Sequence, residues 1–330
     1  MGKVLRIIGI PASSYYHRPG TGKPGRRPST HTLMNGEWVD NGVVLEQISQ
    51  CCMEEFVSYG YIKMTHWLRR KGYWIDDKKV YRLMKGACLT YARGISTRGK
   101  RSFRRFQKIT GAKPLAYLEM DIKYLYLSNE RRHVYLLSVL DVASRSVVGW
   151  LLKYSITQHD VIALWRKIRP LLATDSKITL RTDNGSQFLA HSVRAYLKHI
   201  QIDHEFSFVA TPQDNGHIES FHKTLGREVV ERGNYVGFGT LTDQISRYMH
   251  FYNHERIHGS LGYQTPNEWL AKNACRQQLG KIQQVIHLFQ EEEVANTPCF
   301  RKSAYGFGTN KFANLKPIPQ IQPSTFSSNN

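Results

Sequence analysis

The chain has 330 residues, with 46 Lys and Arg against 26 Asp and Glu, a formal net charge of +20 and a pI near 9.8. This length allows two or three domains with sizeable cores, and the excess positive charge predicts a polyanionic partner. The five cysteines include no C-x-x-C pair, no apolar run reaches about 18 residues, and the start lacks a signal-peptide pattern. These features argue against a disulfide-stabilised fold and a membrane span, and they predict a cytosolic protein.

The positive charge is concentrated in the first third of the chain. Residues 1–113 contain 22 Lys and Arg but only 7 Asp and Glu. Up to residue 43, a short apolar stretch precedes a segment rich in Pro, Gly and basic residues at 18–32, so we predict a small helical piece followed by a basic linker. An electrostatic footprint of this kind is typical of nucleic-acid binding.

Three short helices are predicted between residues 44 and 92. Apolar residues recur at helical spacing in two stretches, 44–56 and 62–71, and a third helix begins near Asp76 or Asp77. Short helices with tight joints predict a helix-turn-helix DNA-binding domain whose third helix is the recognition helix. The alternative is a basic, solvated helix face. The third helix offers four candidate DNA contacts: Lys78, Lys79, Arg82 and Lys85.

A basic segment follows at residues 93–114. It contains eight Lys and Arg, two Phe and no acid, and we interpret it as an interdomain arm that lies on the DNA backbone, where salt weakens binding steeply. A tether that orders only on DNA is the other interpretation. The candidate contacts in this arm are Arg101, Arg104 and Arg105.

Three acids stand out in the remaining chain. Asp121 lies in the middle of an alternating stretch, 118–127, that predicts a strand, where a carboxylate is costly unless it is paired or bound to a metal. Asp183 follows a short β-branched run directly before the turn signal Asn-Gly. Glu219, separated from Asp183 by 35 residues, borders the apolar stripe of a predicted helix. Asp141, a rival acid at a strand exit, is interpreted as structural.

Acids from a strand middle, a strand end and a helix can converge on one site. Their hard oxygen ligands suit Mg²⁺ or Mn²⁺, and two such ions stabilise the attacking and leaving oxygens of a phosphoryl displacement. The alternative is that the three acids are unrelated surface residues. From the residues alone, we predict a metal-dependent phosphoryl-transfer enzyme.

The order and spacing of these acids also resemble the pattern of a known protein family. Together with the motifs T-D-N-G-S-Q-F, P-Q-D-N-G-H-I-E-S-F and Y-N-H-E-R-I-H-G-S-L-G-Y-Q-T-P, they resemble the integrase core of D,D(35)E transposases from bacterial insertion sequences, which are related to retroviral integrases. The likeness runs from about residue 60 to residue 269. It includes the third helix and its basic residues.

The resemblance implies a fold and an activity. The expected fold is α/β, a ribonuclease-H-like mixed sheet flanked by helices over residues 115–272, and the order β-β-β-α-β-α in the sequence agrees with it. The implied activity is cutting and joining of DNA strands, with Asp121, Asp183 and Glu219 holding two Mg²⁺ ions, which Mn²⁺ can replace. The implied partners are double-stranded DNA, at the element ends and the target, and further copies of the chain assembled on paired ends.

The sequence also departs from its relatives. Many of them carry a basic residue seven positions after the catalytic Glu, where this chain has Gly226, so we consider Lys223 as a replacement phosphate contact. Arg256 is a further candidate for DNA contact, with a structural role as the alternative. The paired His and Cys of a retroviral zinc module are absent from the sequence, and we do not predict zinc.

Two other functions fit parts of the pattern. A nuclease or junction resolvase of the same fold would hydrolyse DNA without joining it. A non-catalytic DNA-binding regulator would use only residues 1–113. The segment 273–330 is interpreted as a C-terminal extension.

Overall fold

The computed structural model describes residues 2–7, 9, 15, 28–90, 113–172, 177–207, 215–233 and 235–274. The predicted arm, apart from its last two residues, and nearly all of the C-terminal extension lie outside these ranges. The predicted DNA contacts of Arg101, Arg104 and Arg105 therefore lie outside the described residues. No helix within the described ranges is long and apolar enough to cross a membrane.

The N-terminal part of the described chain consists of helices and a small sheet. Its elements are α1 (Gly2–Ile7), β1 (His31–Met34), β2 (Glu37–Asp40), α2 (Asn41–Met53), α3 (Tyr61–Arg70), β3 (Tyr73–Trp74) and α4 (Asp77–Gly86). The strands are antiparallel in the order β2-β1-β3. The three helices predicted for this region are present as α2, α3 and α4. The sheet was not predicted, because strands of two to four residues show too little alternation to be recognised.

Side-chain caps fix where two of these helices begin. The N–H of Gly42 donates to Asp40 at 2.7 Å, and the N–H of Lys79 donates to Asp76 at 2.8 Å. Such caps satisfy backbone donors that have no partner within the helix. The cap at Asp76 therefore starts α4, the predicted recognition helix, directly after β3.

A five-stranded mixed sheet forms the second part. Its strands are β4 (Tyr117–Leu127), β5 (Arg132–Asp141), β6 (Val147–Lys153), β7 (Ile178–Thr182) and β8 (Ile202–Phe206). They lie in the order β6-β5-β4-β7-β8, with antiparallel pairing from β6 to β4 and parallel pairing from β4 to β8. This topology is the predicted ribonuclease-H-like fold.

Helices cover both faces of this sheet. They are α5 (Gln158–Ile168), α6 (Ser186–Leu189), α7 (His191–His199), α8 (Gly216–Leu225), α9 (Phe238–His254) and α10 (Pro266–Asn273). Helices α5 and α7 bury Trp165 and Leu197 against one face, and α8 and α9 bury Phe221 and Tyr248 against the other. Both faces of the sheet are therefore covered by helices.

The two parts share one hydrophobic core. Apolar residues of α2, α3 and α4 belong to the same buried cluster as those of α8 and α9. Phe56 packs edge-on against Tyr248, with ring centroids 5.3 Å apart, and Arg70 forms two hydrogen bonds with Glu268. The predicted domain boundaries at residues 43, 92, 114 and 272 stay predictions, but the helical domain and the sheet domain pack directly against each other.

Candidate active site

Asp121 lies at the centre of the sheet and is held from two sides. It faces Ser138 of β5 in the strand register. Its Oδ1 accepts the N–H of Ile122 at 2.8 Å, and its Oδ2 lies 3.3 Å from Nδ1 of His222 on α8. The side chain remains 22% exposed, so the carboxylate has a fixed orientation and still reaches the surface.

Asp183 lies beside Asp121. Thr182, the last residue of β7, pairs with Met120 of β4, so the next residue of each strand is one of the two acids. Asp183 Oδ1 accepts the N–H of Gly185 at 3.0 Å. Partial burial and then the negative charge of Asp121 raise the pKa of Asp183, while the Gly185 N–H opposes this shift. Two neighbouring carboxylates at a strand edge form a local excess of negative charge.

Glu219 lies on a helix that is fixed alongside β4. The N–H of Ile218 donates to Oε2 of Glu119 at 2.8 Å, and one turn later His222 contacts Asp121. Glu219 therefore comes between two anchor points of α8. Within the described residues, however, no three His, Cys, Asp or Glu side chains are grouped closely enough to hold a metal ion. The structure thus brings Asp121 and Asp183 together and leaves Glu219 on the adjacent helix.

Two buried residues near these acids did not figure in the sequence prediction of the site. His222, 5% exposed, also hydrogen-bonds through Nε2 to Ser138 Oγ at 2.7 Å, so it connects the first acid to β5. Glu119 is fully buried, and its Oε1 has no hydrogen-bond partner among the described residues. Burial raises the pKa of Glu119 to about 7, against the effect of the Ile218 N–H. The available signal was spacing: His222 lies three residues after Glu219, and Glu119 two before Asp121.

The oxygen-rich pair fits a divalent cation. Asp121 and Asp183 offer carboxylate oxygens, the ligands that Mg²⁺ and Mn²⁺ prefer. The mutual repulsion that contributes to the raised pKa of Asp183 is the kind of interaction that a bound cation relieves.

The predicted DNA contacts divide into exposed and buried side chains. Lys79 is 7% exposed, and its ammonium donates to Ser29 Oγ at 3.1 Å and to the carbonyl of His31 at 2.6 Å. Arg256 is 5% exposed and donates from both Nε and Nη2 to Glu228. Both assignments are corrected, because each cation is used inside the fold. The exposed members of the set are Lys78, Arg82, Lys85 and Lys223.

Comparison with known protein families shows which domains this chain resembles. Residues 111–212 and 200–266 match two family models described as "Integrase core domain", and residues 39–94 match an "HTH-like domain". Over these ranges the chain is therefore similar to an integrase core domain, preceded by a region similar to a domain of the helix-turn-helix type. This confirms the resemblance drawn from the motifs.

The proteins of similar sequence belong to a narrower class than the family models describe. The chain is homologous to insertion-sequence transposases. It is 25% identical to the transposase for insertion sequence element IS904 of Lactococcus lactis, over 76% of this chain and 99% of the relative. It is 26% identical to the putative transposase InsK for IS150 of Escherichia coli, over 82% of this chain and 93% of the relative. Among solved structures, the HTLV-2 integrase catalytic core in complex with magnesium aligns at 17% identity with a TM-score of 0.38, over 48% of this chain and 98% of that chain.

Proposed function

We propose that the protein is a DNA transposase that cuts strands at the ends of an insertion sequence and joins them to new DNA. The observation that carries the proposal is the side-by-side position of Asp121 and Asp183 on the neighbouring inner strands β4 and β7, with the Glu219 helix fixed next to them. The homology to insertion-sequence transposases supports the same activity.

In this proposal the three acids hold two divalent ions. Bound Mg²⁺ or Mn²⁺ would supply the activation of water and the stabilisation of the leaving 3′ oxygen. The chain's own part is to orient the ligands: the N–H of Ile122 and the ring of His222 fix Asp121, and the N–H of Gly185 fixes Asp183. The freed 3′-hydroxyl would then attack a second phosphodiester in the same site, so that a new P–O bond forms as the bond to the 3′ oxygen of the attacked strand breaks and that oxygen leaves.

The remaining parts of the chain have proposed roles in this scheme. The helix-turn-helix domain at 44–92 recognises the element end through Lys78, Arg82 and Lys85, and the arm at 93–114 follows the DNA backbone. Lys223 contacts a phosphate near the site. Since two ends are processed together, several copies assemble on the paired DNA, in the compartment that holds the element.

A metal-dependent assay on labelled duplex DNA with candidate terminal repeats tests the activity. We expect Mg²⁺-dependent cutting followed by joining. Asp183→Asn should lower cutting by at least about a hundredfold while DNA affinity is retained, because the loss of one ligand charge affects only the reacting centre. Asp203→Asn, which alters an exposed acid of β8, is the matched control.

The same assay separates the alternatives. Cutting without any joining would identify a nuclease or resolvase. Full cutting by the Asp183→Asn variant would contradict the proposed site, and DNA binding with no cutting by the unaltered protein would favour the regulator.

A further inference from the structure

The first turn of α8 has no cap from the residue that precedes it. Asn215, directly before the helix, forms no capping hydrogen bond, and its Oδ1 is buried without a partner among the described residues. The N–H groups of a first helical turn have no acceptor within the helix and need one from outside it. For Ile218 this acceptor must come from the protein, because the residue is fully buried.

A carboxylate on the adjacent strand β4 supplies the acceptor. Oε2 of Glu119, which lies 99 residues earlier in the chain, accepts the N–H of Ile218 at 2.8 Å. Burial raises the pKa of Glu119 to about 7, and the N–H groups of Ile218 and His217 oppose this shift together with two nearby arginines. Two N–H groups of the first turn therefore face this one carboxyl group.

The contacts between α8 and β4 have matching spacings on the helix and on the strand. Glu119 and Asp121 are two residues apart, so both project to the same face of the sheet. Their partners on the helix, Ile218 and His222, are four residues apart. Two strand residues span about 6.7 Å and four helical residues about 6 Å, so the helix follows the strand from one contact to the next. Glu219 comes directly after Ile218, in the first turn.

Glu119 is itself held firmly. It lies on β4, the central strand of the five, where it pairs with Leu140 of β5 and Arg181 of β7. Its side chain is fully buried. A buried side chain on a strand that is paired along both edges has little freedom to shift, so the position of this carboxyl group is tied to that of Asp121 on the same strand.

We propose that Glu119 is a positioning residue for Glu219. By capping α8 from the central strand, Glu119 holds the first helical turn, and Glu219 with it, beside the strand that carries Asp121. Without the acceptor the first turn would fray, whereas the contact of His222 with Asp121 would still hold the next turn. The consequence for metal binding rests on the proposed function, in which Glu219 is a ligand; the consequence for the helix does not.

Hydrogen exchange on the full chain, without metal or DNA, tests the hold on the helix. Glu119→Met removes the acceptor and keeps most of the side-chain length, whereas Glu119→Gln keeps an oxygen that accepts the same N–H. We expect the segment that contains Ile218 to exchange about fivefold faster in Glu119→Met, as for the loss of a helix cap, and at close to the unaltered rate in Glu119→Gln.

An unaltered exchange rate in Glu119→Met would overturn the proposal. Glu119→Val, which suits a strand and also lacks an acceptor, replaces Glu119→Met if that variant does not fold.

The affinity for Mn²⁺ separates positioning from a general loss of stability. Titration calorimetry without DNA should give about tenfold weaker binding for Glu119→Met, with most of the affinity regained in Glu119→Gln. Asp40→Ala, the matched control, removes a cap from α2, a helix that carries none of the three acids, and should leave the affinity unchanged. An equal loss in Asp40→Ala, or binding by Glu119→Gln as weak as by Glu119→Met, would overturn the positioning role.

Glu219→Gln distinguishes a failure of this inference from a failure of the proposed function. If Glu219→Gln weakens Mn²⁺ binding and Glu119→Met does not, the positioning role is wrong although the metal site stands. If the unaltered protein binds no Mn²⁺, the proposed metal site fails, and the hydrogen exchange of α8 still decides whether Glu119 holds the first turn.

Discussion

At the scale of single residues, His222 connects several side chains around the candidate site by direct contact. One ring nitrogen contacts Asp121 and the other contacts Ser138, and the same side chain lies on the helix that carries Glu219. It therefore acts as a positioning residue that orients one acid and holds the helix of another. Groups that orient a ligating carboxylate are typically worth about 10–100-fold in metal affinity.

Two substitutions separate the contacts of His222. The amide nitrogen of His222→Asn comes close to the place of Nδ1 and keeps a donor near Asp121, whereas His222→Gln reaches toward Ser138 instead. Titration calorimetry with Mn²⁺, on the protein without DNA, should give affinities for Mn²⁺ that decrease in the order unaltered protein, His222→Asn, His222→Gln, His222→Leu. If His222→Leu binds Mn²⁺ as tightly as the unaltered protein, the positioning role is wrong.

At the scale of elements, a buried ion pair joins the segment directly after α9 to the turn after α8. Glu228, in the π-helical turn Gly226–Val230, accepts from Arg256, from Tyr248 and from Ser58 of the helical domain. Despite the effect of burial, the bonds from Arg256 hold the pKa of Glu228 below its usual value. A buried carboxylate with this many donors depends on all of them.

Loss of Arg256 should therefore destabilise the fold. We expect Arg256→Met to lower the free energy of unfolding by about 3–5 kcal/mol, because Glu228 is left buried without its cation. Arg247→Gln breaks an exposed pair with Glu55 and should cost less than about 1 kcal/mol. Urea unfolding followed by circular dichroism measures both, and equal losses for the two variants would contradict the assignment.

At the scale of the whole molecule, the helical domain and the sheet domain form one packed unit. Ser58 and Arg70 bond to the sheet domain, and His66 stacks on Tyr263 with ring centroids 3.4 Å apart. His258 is buried beside Arg256 and close to Lys63 of α3. Burial and then these cations lower the pKa of His258 to about 2.

The pKa of His258 makes the stability of this unit dependent on pH. The ring is neutral when folded and takes up a proton when unfolded below about pH 6.5, so its contribution is complete above that pH and is lost as the pH falls. We expect the free energy of unfolding of the unaltered protein, measured relative to that of His258→Asn, to drop by about 2 kcal/mol between pH 7 and 5, at about 1.4 kcal/mol per unit. Urea titrations at both pH values, with His258→Asn as a variant that lacks the titrating group, measure the effect.

The sequence predicted those features that depend on local periodicity. Alternation located β4, the turn signal located the end of β7, and the strand register then brings Asp121 and Asp183 together. Local patterns do not show which element covers a face. For that reason the burial of Lys79, the role of His222 and the core shared by the two domains became visible only in the structure.

The shared core has a consequence for where the DNA is cut relative to the bases that are recognised. With α3 bonded to the sheet domain and α4 packed on α3, the helix proposed to read the sequence stands at a set offset from the acids. For DNA held by α4, the cleaved phosphodiester would then lie at a fixed number of base pairs from the recognised bases. The distance between the recognition helix and the acids would then fix the distance between the recognised bases and the cut. Base pairs inserted between these two places in the DNA would shift the position of the cut, because the domains do not move apart to compensate.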